Sequence, residues 1–144
     1  MNVVKGLKLS DAIAVHIAPG EMLLEKITEI ARQIKNGVVV SGIGTLKSCR
    51  LHCVTGIDFP PVEDFITLHD VPLELVSLQG IIADGKPHIH ALVSRGFRET
   101  YAGHLEDSCE VLYLAEILIV PLKGKQLTRK IDAKLGVFVL VEAE

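Results

Sequence analysis

Asp84-Gly85-Lys86-Pro87-His88-Ile89-His90-Ala91-Leu92-Val93-Ser94 holds a turn and a strand, and its return is Tyr101-Ala102-Gly103-His104-Leu105. Asp-Gly between two apolar runs is a hairpin signal, because a type I′ turn needs positive φ at both central positions. The strand leaving that turn carries His88 and His90, which the two-residue alternation sets on one face, about 6.6 Å apart along the strand. A second turn follows at Arg95-Gly96-Phe97-Arg98. If that hairpin is centred on Phe97, His104 falls directly across from His90, where cross-strand Cβ atoms lie about 5 Å apart. Three imidazoles then converge on one patch of sheet. A one-residue bulge at Gly96 or Gly103 would turn His104 to the other face, so the convergence depends on an unbroken register.

Outward from this hairpin the chain reads as sheet with one helix. Leu73 to Ile82 is the strand that pairs with the histidine strand across Asp84-Gly85. Upstream, Ala12–Ile17 reads as a strand, and Pro19-Gly20 breaks it before a helix from about Glu21 to Lys35. There Leu23, Ile27, Ile30 and Ile34 form an apolar stripe, widened by Leu24 and Ala31. Asn36-Gly37 supplies the expected left-handed stop. Val38–Leu46 starts apolar on both faces and reads as a central strand, followed by Ser48–Thr55 with His52. Asp58–Asp64, with Pro60 and Pro61, reads as an exposed loop. Long apolar strands are expected at Val111–Val120 and Val137–Val141, with Lys123–Lys130 as a solvated turn between them. The expected fold is α+β, one main helix on a largely antiparallel sheet of about seven strands, in a single domain over residues 1–144.

Composition excludes several classes. The chain has 144 residues, an apolar fraction of 49% and no tryptophan, so its core must rest on Val, Ile and Leu. No apolar run approaches the roughly 18 residues needed to span a bilayer, and Met1–Lys5 does not read as a signal peptide. Three cysteines, Cys49, Cys53 and Cys109, form no disulfide-dense pattern, which points to a reducing cytoplasm. Cys49 and Cys53 read as small buried hydrophobes. With a net charge of −3 and 15 scattered basic residues, DNA binding is expected to be weak or absent.

The ordered set Val39–Leu46, Glu74–Gly80, Asp84–His90 and Gly103–Leu105 resembles the PPC (plant and prokaryote conserved) domain, in register from about Val15 to Val120. Members are labelled as DNA-binding candidates. Plant members attach the domain to AT-hooks, a segment these 144 residues do not contain. The resemblance implies a homotrimer. Stand-alone prokaryotic members are similar in fold to acetolactate decarboxylase, whose zinc is held by a His-x-His pair and a third histidine downstream. His88, His90 and His104 match that arrangement.

Three imidazoles with a fourth position open is the coordination pattern of catalytic zinc, although Ni²⁺, Co²⁺ or Cu²⁺ suits the same donors. Catalysis would also need an acid or base. Glu74 and Glu116 are the candidates, since a carboxylate inside an apolar strand is costly unless paired or solvated. His16, His52 and His69 read as isolated strand or surface residues. Three function classes stay open: a homotrimeric metal-binding domain with a possible small-molecule ligand, a DNA-associated regulator, and an interaction module with incidental histidines.

Overall fold

The computed structural model describes residues 1–144 as one α-helix and eleven strands. The helix, α1 (Leu23–Ile34), follows β1 (Lys8–Leu9) and β2 (Ile13–Ile17). Then come β3 (Gly37–Leu46), β4 (Cys49–Val54), β5 (Glu63–Leu68), β6 (Leu73–Ala83) and β7 (Lys86–Arg95). The last four are β8 (Glu99–Leu105), β9 (Val111–Lys123), β10 (Leu127–Asp132) and β11 (Val137–Glu142). Nine strands form one sheet in the order β1-β9-β3-β6-β7-β8-β4-β5, with β2 also on β9, and every pairing is antiparallel. The α+β expectation holds, but about seven strands was too few. β5 begins inside the stretch read as an exposed loop, and β10 replaces the expected turn at Lys123–Lys130.

One face of the sheet carries the core. Leu23, Ile27 and Ala31 of α1 are fully buried together with Leu75 and Leu78 of β6, Ile89 and Val93 of β7, and Ile117 and Ile119 of β9. Each Leu or Ile removed from water in this way contributes roughly 1.5–3 kcal/mol. The period-2 alternation that turns Ile89, Ala91 and Val93 inward turns His88 and His90 outward.

The expected left-handed stop at Asn36-Gly37 is corrected by one position or more. Lys35 takes the positive φ, 64°, and Gly37 opens β3. Gly37 is packed closely instead, a Cβ there standing 2.8 Å from the tip of Ile34 and 3.3 Å from the Val120 carbonyl oxygen. The Asp84-Gly85 turn is as expected, with φ of 51° and 70°. Asn36 is buried and joins three elements. Its Nδ2 donates to Gln126 Oε1 at 2.7 Å, its Oδ1 accepts from Leu127 N at 3.2 Å, and its backbone oxygen accepts from Leu122 N at 2.9 Å.

This junction holds the β10–β11 hairpin to the end of the helix. Asn36→Ala leaves the buried Leu127 N–H without its partner, while the exposed Gln126 amide turns to water, and a buried polar group so orphaned costs roughly 1–3 kcal/mol. The variant is therefore expected to lose about 2 kcal/mol in urea unfolding, whereas an unchanged midpoint would show that the junction contributes nothing.

Candidate metal centre

Three adjacent strands build the site. His90 on β7 pairs with His104 on β8, and His104 pairs on its other side with His52 on β4. No bulge interrupts the β7–β8 register, so the parity read from the sequence survives. Gly103 permits the close approach of β4, since a Cβ there would lie 2.4 Å from the His52 carbonyl oxygen. His88, two residues before His90, shares its face.

The rings of His88 and His90 stack at 5.5 Å, nearly parallel at 10°. His104 stands edge-on to both, at 4.8 Å from His88 and 5.5 Å from His90. One ligating nitrogen from each of the three lies within 4.8 Å of the others. Zinc takes imidazole nitrogens at about 2.0–2.1 Å, and three of them with one position open is its catalytic coordination pattern. The donor set therefore fits a divalent transition metal.

His52, which with His16 and His69 reads from the sequence as isolated, lies beside the cluster. It stacks on His104 at 4.6 Å, and its Nδ1–H donates to Glu106 Oε1 at 2.5 Å. Glu63 lies 3.6 Å from the other ring nitrogen. The carboxylate on Nδ1 holds the ring in its orientation. His52, His104 and Glu106 form a second group whose candidate ligand atoms also lie within 4.8 Å of one another. No local pattern shows this, because β4 and β8 are far apart in the chain.

The carboxylate candidates lie elsewhere. Glu74 is exposed opposite Ser94, roughly 13 Å along the strand from His90 by strand rise. Glu116 is exposed opposite His16 and Ile43, at a separate groove. Neither joins the histidine cluster. His69 is exposed and pairs with Asp70 at 3.0 Å. Cys49 is buried as expected, its sulfur 3.8 Å from that of the equally buried Cys109, but Cys53, also expected to be buried, is exposed.

The histidines open into a cavity of about 700 Å³, within the usual size of small-molecule sites. Cys53 and Glu63 are among its lining residues. Arg129, Val137 and Phe138 of the β10–β11 hairpin also line it. Burial, with His88 and His52 nearby, holds the His104 pKa down at about 4, against the opposing pull of Glu106. Burial first, then Arg129, His90 and His52, lowers that of His88.

Both shifts keep imidazole neutral and able to coordinate. Their effect on folding has a definite sign. Between the ordinary histidine value near 6.5 and the folded value of about 4, the unfolded chain binds more protons than the folded one. Stability of chelator-treated protein should therefore fall as pH drops through that window. His104→Gln should flatten that slope in urea unfolding measured from pH 7 to pH 4.5. An identical slope in the variant would contradict the burial of this imidazole.

Residues 6–123 match the family model of the Plants and Prokaryotes Conserved (PCC) domain, and no curated protein matches the chain. Among solved structures, a plant- and prokaryote-conserved (PPC) protein from Pyrococcus horikoshii is 28% identical with a TM-score of 0.80, covering 99% of both chains. A metal-containing protein from Archaeoglobus fulgidus is 26% identical with a TM-score of 0.79, over 97% of this chain and 99% of that one. A protein from Ralstonia eutropha, described as a DNA-binding candidate, is 25% identical with a TM-score of 0.72, over 88% of each chain. With its helix, its antiparallel sheet and most of its length inside that match, the chain belongs to the Plants and Prokaryotes Conserved domain family.

Proposed function

We propose that His88, His90 and His104 together hold one divalent transition metal, zinc first among them, in a homotrimer whose cavity admits a small-molecule ligand. The observation that carries this reading is the convergence of three imidazole nitrogens within 4.8 Å of one another. The metal-containing Archaeoglobus relative supports it, as does the burial that keeps His104 neutral. A bound metal would supply Lewis acidity, lowering the pKa of a coordinated water or polarising a carbonyl. The chain's own part is to orient the ligands and wall the cavity. The His52–Glu106 pair, stacked on His104, fixes that ring's packing on the side away from His90.

The trimer is the assembly the family resemblance implies, and the surface supports an assembly. Val40, Ile43, Val76, Tyr113 and Leu118 are exposed on β3, β6 and β9, three neighbouring strands. An apolar patch of that kind marks an interaction surface. No helix is long and apolar enough to cross a membrane, and three free cysteines fit a cytoplasmic location. Residues 1–144 act as one domain in this reading, since Asn36 and Arg129 tie the C-terminal hairpin to the sheet.

The Ralstonia relative favours a second reading, a DNA-associated regulator. Charge weighs against it. Lys125 and Lys130 in the densest basic cluster are paired with Glu142 and Glu144, and the net charge is −3. Duplex binding draws on several free cations on one surface. DNA affinity at physiological salt should be weak or absent.

Removing one of three ligands leaves two imidazoles. His90→Ala should lower zinc affinity by orders of magnitude with the fold intact, while the remote His69→Ala retains wild-type uptake. Equal metal content in His90→Ala and wild type would remove the site. Light scattering should give three times the chain mass of 15.7 kDa, and a monomer at micromolar concentration would contradict the assembly.

A further inference from the structure

We infer that the cavity binds a small carboxylate with a short apolar body, its anionic group on Arg129 and its other end toward the histidine cluster. The inference deepens the metal-site reading and rests on it only for what lies at the far end of the ligand.

Arg129 lies on β10, outside the nine-stranded sheet, yet its guanidinium crosses to the sheet. It donates to the Lys86 carbonyl oxygen at 3.1 Å and to the Ile81 carbonyl oxygen at 2.9 Å. A guanidinium has five N–H donors in a rigid plane. Two are used, and the two bonds hold the plane in place. No carboxylate of the chain lies within ion-pair distance of it, whereas Lys125 and Lys130 on the same segment each have a glutamate partner. The group is partly desolvated, and burial lowers its pKa.

A fixed, half-buried cation without a counter-ion, lining the same cavity as His88, His90 and His104, is built to receive an anion. The planar fork suits a carboxylate, which it can engage through two parallel bonds. Val54, Pro61, Val137 and Phe138 supply an apolar wall beside it. Those side chains match a ligand whose body is apolar beyond the anionic group. A short aliphatic acid fits the cation and the wall together.

The test is calorimetric titration of the full chain with 3-methylbutanoate and with its neutral amide, using zinc-loaded and chelator-treated protein. The acid should bind zinc-loaded wild type at least tenfold tighter than the amide, because charge-assisted hydrogen bonds distinguish the two. Part of that preference should persist without metal. Arg129→Gln should abolish the preference in chelator-treated protein, and Arg129→Lys should keep part of it. Equal affinity for acid and amide, no binding of the acid, or wild-type discrimination in Arg129→Gln would each overturn the assignment. Zinc content measured on the same samples separates the two readings. A chain that takes up no zinc but still prefers the acid through Arg129 retains the anion site and loses the metal centre.

Discussion

The alternation of β7 governs this molecule. Inward, Ile89, Ala91 and Val93 pack under the helix and are almost wholly buried. Outward, the same alternation presents His88 and His90. A slip of one residue would exchange the two sets, placing imidazoles in an apolar core and apolar side chains in water. Core packing therefore fixes the register that brings the histidines together. Stability and site geometry here are one constraint, because the helix cannot keep its contacts unless the imidazoles face out.

The site gains its walls from longer-range pairings. β8 brings His104 to His90, and β4 brings His52 to His104. The C-terminal hairpin then lies against the outer face, held by Asn36 at the helix end and by Arg129 on the backbone of β6 and β7. A histidine cluster on an open sheet would be fully hydrated. Here partial burial lowers the pKa of both His88 and His104, which favours the neutral imidazole.

Local signals in the sequence were enough for the helix, the Asp84-Gly85 turn and the β7–β8 register, since each depends on residues close in the chain. The Glu63–Leu68 strand was hidden because it is exposed along nearly its whole length, with no buried alternation to read, and its neighbour β4 sets its pairing. β10 was hidden because Arg129 and Lys130 read as a solvated turn, whereas the two side chains reach different partners across the fold. Glu74 and Glu116 drew attention as acids in apolar strands. Alternation simply turns both to solvent. His52 is the opposite case, an unremarkable residue in its own strand that becomes a neighbour of His104 through a pairing between positions more than fifty residues apart.

Because Cys53 also lines the cavity, the identity of the donor atoms is the most direct test of the metal centre. X-ray absorption on zinc-loaded protein resolves the two cases, since zinc–nitrogen distances are about 2.0–2.1 Å and zinc–sulfur about 2.3 Å. Three imidazole nitrogens at the shorter distance, with no sulfur, are the expected result. A sulfur shell, or fewer than three imidazoles, would contradict a centre built from His88, His90 and His104.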